Sequence, residues 1–469
     1  MVGDIETGTD VLIIGAGPSG YTAAIRLGQM GLDVTLVGTE IGGVCLHHGC
    51  IPIKTFSRSL DMALDAISLG RRGVDVSKIT IDLGRIHEWK DQVVGKLEGG
   101  IRSLMSGNGV QVFEGTCSFT SSSTATVSSR TGNLHLNFNR AVIATGSKYS
   151  IPEGIRIDGR RVVTPYGLTR LKKAPVNAVV LGGGVAGMTS APLLAKMGSD
   201  VTIAHKGPVL VRSVDEDVMR PVMKWMGENK IKVYPNSTWT VSPDGATVTI
   251  NSNGNVQTLN PDLVLVASPL VPNLDGLDLK VTKVRLSPKG FIEVDSNYRT
   301  SDPAIYAIGD VLGTGRNAST AFRDGSSLAN VLAGRPALPD YQARPVTIDA
   351  EPPIAWAGMS EKAAEKAGIA VTVSRSSYSA NGGAITQGFE DGIVKVIAEK
   401  STGRILGAQI VGKNSAELIS EAMLAIEMGA SLEDVALTLH PHPEITEVFF
   451  DACARGAGLS SNTVTKNWS

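Results

Sequence analysis

One arrangement constrains this chain more than any other: a strand, glycine turn, helix, strand unit that occurs twice. In the first copy the apolar run Val11-Leu12-Ile13-Ile14 suits a buried parallel strand, and Gly15-Ala16-Gly17-Pro18-Ser19-Gly20 follows as the turn. A helix-like stretch runs through Met30, and Val34-Thr35-Leu36-Val37 reads as the next strand. The second copy runs from Ala178-Val179-Val180-Leu181 through Gly182-Gly183-Gly184-Val185-Ala186-Gly187 to a helix and Asp200-Val201-Thr202-Ile203. Gly15, Gly17 and Gly20, and again Gly182, Gly184 and Gly187, are spaced for a tight turn, close approach to a pyrophosphate and close packing of helix on strand. The helix N-terminus that follows each turn favours negative charge. One such pattern is a weak signal. Two in this context imply two dinucleotide sites, the alternative for one of them being a degenerate structural duplicate.

Composition agrees with large folded domains. The chain has 469 residues, suggesting about three domains, and 42% of them are hydrophobic, enough for substantial cores. A net charge of −1 argues against a nucleic acid as main partner, since neutralising phosphates takes clustered Lys and Arg. No apolar run approaches the roughly 18 residues of a membrane span, so no membrane insertion is expected. The acidic start, with Asp4, Glu6 and Asp10, lacks the pattern of a secretory signal, and a cytoplasmic location is expected. Four cysteines are too few for a disulfide scaffold, so two lying close together would do chemistry.

Two do lie close, in Gly42-Gly43-Val44-Cys45-Leu46-His47-His48-Gly49-Cys50-Ile51-Pro52. Residues five apart on a regular helix bridge poorly, because a disulfide wants Cα atoms within roughly 7 Å. Gly49 and Pro52 are residue types that could distort the segment and close the gap. A slightly strained bridge is easier to reduce, and beside a flavin it could pass two electrons between ring and substrate. Zinc and simple thiols are the alternatives. Four potential ligands within six residues can hardly wrap one tetrahedral ion, and no metal is expected.

With these motifs the chain resembles the pyridine nucleotide-disulfide oxidoreductases, class I, over almost its full length, and is most similar to the branch that reoxidises dihydrolipoyl groups. Ala144-Thr145-Gly146, Ile305-Tyr306-Ala307-Ile308-Gly309-Asp310-Val311 and His440-Pro441-His442-Pro443-Glu444-Ile445-Thr446-Glu447 carry the likeness further. The resemblance implies an α/β fold with two Rossmann-like domains, for FAD and for NAD or NADP, plus a C-terminal α+β dimerisation domain. The expected division is an FAD-binding domain at 1–150 and 276–345, an NAD(P)-binding domain at 151–275 and a dimerisation domain at 346–469.

The resemblance also implies roles. Cys45 would exchange with the substrate, Cys50 would lie against the flavin, His442 would be the acid/base and Glu447 would orient it. Gly43, Lys54, Thr145, Gly146, Gly309, Asp310 and Ala318 would join the first glycine turn around FAD, with Asp310 on the ribityl chain and Lys54 near the ring. His440 reads as structural and Glu444 as solvated. A homodimer is implied, with His442 serving the other subunit's cysteine pair, and a lipoylated carrier protein or small dithiol or disulfide as substrate. In the dimerisation region Val394–Ile397 and Ile405–Val411 read as strands and Ala416–Met428 as an amphipathic helix.

Several positions depart from the family pattern. Gly38 stands where a glutamate for the FAD ribose is usual, and Glu40, 20 residues after Gly20, is expected to replace it. The acidic position of the second unit holds His205, followed by Lys206, with Arg212 beyond. Loss of the acid with gain of cations is the direction expected for a 2′-phosphate, so NAD and NADP both stay open. Thr189 replaces the glutamate that pairs with the Lys54 equivalent, and Ser268-Pro269 falls in a segment where a glycine-arginine turn is usual. Ser319 and Thr320, after Ala318, replace the usual His and Lys. These changes motivate two other readings: an NADPH-dependent reductase of another disulfide, and a flavin electron-transfer subunit of a larger complex. Cys117 and Cys453 match no second redox pair and are expected to be buried.

Overall fold

A computed structural model describes residues 5–76, 78–130, 132–313, 317–338 and 340–463. The chain forms two compact units. The first gathers Met1–Pro152, Thr169–Lys172 and Ser268–Pro339; the second gathers Glu153–Leu168, Lys173–Ala267 and Asp340–Ser469.

At the centre of the first unit, strand Ile5–Ile14 pairs in parallel with Val34–Gly38 on one side and Gly132–Ile143 on the other. Gln111–Phe119 extends the sheet beyond Val34–Gly38, and Ile305–Ala307 extends it beyond Gly132–Ile143. Thr124–Ser129 joins Gln111–Phe119 to Gly132–Ile143 by antiparallel pairing. The apolar run predicted as a strand is buried on both faces: Val11, Leu12 and Ile13 are all 0% exposed. Covered parallel strands require this, and each such side chain contributes on the order of 1.5–3 kcal/mol. Helix Pro18–Gln29 packs along helix Ala318–Leu332, where a Cβ on Gly325 would meet the carbonyl oxygen of Ser19 at 2.6 Å.

The second unit repeats the central element. Strand Asn177–Leu181 is flanked in parallel by Asp200–Ala204 and Leu263–Val266, with Lys232–Tyr234 and Val162–Val163 outside them. A three-stranded antiparallel sheet, Ser237–Val241, Val248–Ser252 and Asn255–Leu259, follows. A five-stranded antiparallel sheet lies in the C-terminal segment, in the order Val346–Ile348, Ile354–Gly358, Ile405–Val411, Ile393–Glu399, Val371–Ser377. Helices Ser415–Met428 and Glu447–Gly456 bury Ile419, Phe449 and Cys453 in the core formed on that sheet. Cys117 is buried too, as expected. Among the described residues no helix is long and apolar enough to cross a membrane.

Candidate redox and nucleotide sites

Each glycine turn is built by steric exclusion. Gly15 has φ +115°, a region that L side chains rarely adopt, and a Cβ there would run into Ala144. A Cβ on Gly20 would run into the carbonyl oxygen of Gly15, so only glycine lets helix and strand approach this closely. Gly17, by contrast, faces open space. The second turn repeats this: Gly182 has φ +135° with Ala267 against it, Gly187 faces the Gly182 carbonyl oxygen, and Gly184 is open.

The repetition extends to the neighbouring strand. Ile14 is registered with Ile143, and Leu181 with Val266. Two residues beyond Ile143 lies Thr145, whose buried hydroxyl oxygen has no hydrogen-bond partner among the described residues. Buried polar atoms are rarely left unpaired, so this hydroxyl fits a group supplied by a ligand. Open glycine and helix N-terminus suit a pyrophosphate-bearing dinucleotide at both turns, and at the first the orphaned Thr145 hydroxyl joins them.

In the first unit the redox segment lies against its turn. Gly42 N–H donates to the Ala16 carbonyl (2.8 Å), and a Cβ on Gly43 would meet Gly17 Cα at 2.7 Å. Cys45 belongs to the short helix Gly43–His47, while Cys50 begins helix Cys50–Ser68. The break at His48 and Gly49, both of whose N–H groups donate to the Val44 carbonyl, brings the two cysteine side chains into hydrogen-bond contact. That hydrogen bond, then burial, raises the Cys45 thiol far above its ordinary range. Tyr21, one residue past Gly20, is pushed up to about 12 by burial and then by the field of the nearby Cys45 and Cys50.

Both histidines between the cysteines are engaged. His47 Nε2 lies 2.7 Å from the Ile41 carbonyl oxygen, and His48 Nε2 lies 2.7 Å from Glu40 Oε2. Arg170 Nη2 donates to His48 Nδ1 at 2.8 Å. Asp310 Oδ2 accepts from Ser147 Oγ (2.6 Å), and burial of Cys45 is accompanied by the field of that carboxylate. Gly309 N–H donates to Asp324 Oδ2 (3.2 Å), whose other oxygen accepts from Tyr298. Ala318 opens helix Ala318–Leu332, capped by Asn317. Gly146 has a positive φ and its carbonyl accepts from Asn273, and Lys54 lies in the first turns of helix Cys50–Ser68. Ser147, Asp324, Tyr21 and Arg170 carry no motif and were not legible in sequence.

In the second unit the cation pair is divided. His205 is 4% exposed, its ring against Gly183, and burial lowers its pKa so that the neutral form is favoured. Lys206 is exposed, with Nζ 5.6 Å from the Trp239 ring centre. Val211 N–H donates to the Gly183 carbonyl, which places Arg212 one residue from a contact with the glycine turn.

Also in that unit, His442 Nδ1 lies 3.0 and 3.2 Å from the oxygens of Glu447, which also accepts the Glu444 N–H (3.1 Å). Glu447 begins helix Glu447–Gly456, whose N-terminus favours the carboxylate. Glu444 is exposed. His440 is held by Glu421 (2.8 Å) and the Thr438 carbonyl (2.9 Å).

Comparison with known proteins agrees with this architecture. Residues 9–325 match the family described as pyridine nucleotide-disulphide oxidoreductase, and residues 345–453 match its dimerisation domain. The chain is 36% identical to the dihydrolipoyl dehydrogenase of Halobacterium salinarum, covering 99% of this chain and 100% of the relative. It is 35% identical to that of Geobacillus stearothermophilus with the same coverage. Among solved structures, LpdA from Mycobacterium tuberculosis shares the fold with a TM-score of 0.88 at 24% identity, covering 95% of this chain and 99% of that one. A Cu(II) complex of the flavoprotein disulfide reductase RclA from Escherichia coli does so at 0.86 and 24%, covering 96% and 99%. The chain belongs to the pyridine nucleotide-disulphide oxidoreductases, FAD-dependent enzymes that use NAD(P), and carries that family's dimerisation domain.

Proposed function

We propose that this enzyme reoxidises dihydrolipoyl groups, on a carrier protein or as a small dithiol, with NAD(P) as acceptor. The observation that carries the reading is the Cys45–Cys50 thiol pair beside the first glycine turn, in a chain alike over its whole length to dihydrolipoyl dehydrogenases. Held at the first turn, FAD would supply two-electron redox chemistry between the cysteine pair and the nicotinamide.

The residues divide the work. His442, oriented by Glu447, takes a proton from a substrate thiol. The thiolate attacks Cys45 Sγ of the oxidised pair, forming a mixed disulfide and releasing Cys50 as thiolate. The second substrate sulfur then attacks the first, closing the lipoyl disulfide and leaving Cys45 reduced; substrate has lost two electrons and the pair has gained them. Gly15, Gly17, Gly20, Glu40, Gly43, Lys54, Thr145, Gly146, Gly309, Asp310 and Ala318 hold FAD in this reading. Gly182, Gly184, Gly187, His205 and Lys206 hold the nicotinamide nucleotide.

The site is completed in a homodimer, His442 acting on the cysteine pair of the other subunit, and the domain division at 150, 275 and 345 belongs to the same proposal. A cytoplasmic location goes with it, since a pair that must cycle through the dithiol suits a reducing compartment. An anaerobic spectral titration of the flavin with dihydrolipoamide, NADH and NADPH tests each half-reaction. Flavin that dihydrolipoamide fails to reduce would sink the substrate assignment. Cys45→Ser should abolish dithiol turnover with FAD retained.

A second reading, reduction of another disulfide by NADPH, is favoured by Lys206 and by His205 at the position of the ribose-binding acid. In the same titration, strong preference for NADH would remove it.

A further inference from the structure

We infer that His48 and Arg170 are positioning residues that aim Glu40 at the FAD ribose, joining the ribose contact to the redox turn through one hydrogen-bonded chain. The inference rests on the reading of Glu40 as the ribose ligand. No side chain fits at position 38, where a Cβ would meet Ala16 Cβ at 2.6 Å and Ala16 N at 2.9 Å. A carboxylate must therefore come from the next loop. That loop lies on the glycine turn through Gly42 and Gly43, and the Glu40 carbonyl accepts the Gly43 N–H at 3.1 Å.

The directions of the bonds follow from the groups involved. A guanidinium only donates, so Arg170 Nη2, 2.8 Å from His48 Nδ1, requires that nitrogen to be the acceptor. The ring proton is then on Nε2, which donates to Glu40 Oε2 at 2.7 Å. Glu40 is fixed through one oxygen while its charge and second oxygen stay available to ribose hydroxyls. Its side chain is 46% exposed, so without His48 the carboxylate would sample water-facing rotamers and pay ordering entropy on binding. His48 is also the residue at which the chain breaks between the two cysteine-bearing helices.

The test is the affinity of the full-length apoprotein for FAD, read by flavin fluorescence quenching, in a double-mutant cycle. Glu40→Gln and His48→Ala should each weaken binding about tenfold, and the double variant no more than Glu40→Gln alone. His48→Gln, which keeps a donor near Nε2, should restore most of the loss. Arg170→Met, outside the redox turn, should weaken binding less, and not at all in the Glu40→Gln background. If the His48 and Glu40 losses multiply, or His48→Ala binds FAD normally while Glu40→Gln does not, the positioning role is overturned and the ribose reading stands. If Glu40→Gln binds FAD as tightly as the native chain, the ribose reading itself falls.

Discussion

His442 Nδ1 sits 3.0 Å from Glu447 Oε1, on an imidazole that is itself 77% exposed. A carboxylate there fixes the ring's tautomer and stabilises the cation formed when the ring takes a proton. Glu447→Gln should lower dithiol turnover about 10–100-fold, and His442→Gln about 100–10,000-fold, with FAD content unchanged. Stopped-flow reduction of the flavin by dihydrolipoamide checks both, and a rate in His442→Gln equal to the native one would exclude it as the base.

The two glycine turns should fail separately. In Gly187→Ala the new methyl meets the Gly182 carbonyl oxygen, disrupting the second turn only. NAD(P)H should then no longer reduce the flavin, while dihydrolipoamide still does. Gly20→Ala, which drives a methyl at the Gly15 carbonyl oxygen, should instead yield protein without bound FAD, visible as loss of yellow colour on purification.

High pH should destabilise the fold through its thiols. Burial holds the Cys117 thiol up at about 12, against an ordinary value near 9.0. Between those values the native chain binds a proton that the unfolded chain has released. Stability is therefore fully present below pH 9 and falls above it, by about 1.4 kcal/mol per pH unit per thiol. Cys453, also raised by burial, adds in the same direction. Urea midpoints measured from pH 8 to pH 10.5 should drop, and less so in Cys117→Ala.

Lys395 anchors the loop that carries Asp215 and Asp217 to the C-terminal sheet within the second unit. Its ammonium is 1% exposed and lies 2.9 Å from Asp215, 3.1 Å from Asp217 and 2.6 Å from Glu361. Burial alone would lower this lysine, yet hydrogen bonds to Glu361, Asp215 and Asp217 raise it. Removing the cation leaves carboxylates facing one another, so Lys395→Met should lose about 3 kcal/mol. Adding Asp215→Asn should recover part of that; calorimetry of the single and double variants decides.

What could be read from residue order is what short-range sterics dictate. A buried parallel strand, a turn that only glycine can make and the helix after it all lie within about 20 residues, so Val11 to Val37 and Ala178 to Ile203 were legible, as were the strands and helix of the dimerisation segment. The cysteine spacing and the His442 to Glu447 interval are likewise local, spanning five residues each. Tertiary structure alone decided the contacts made across the chain. Ser147 holds Asp310 from 163 residues away, Arg170 reaches His48 across 122, and Lys395 meets Asp217 across 178. The register of Ile14 with Ile143 and of Leu181 with Val266 is of the same kind. Such bonds depend on which surfaces packing brings within about 3 Å, and no local propensity encodes that.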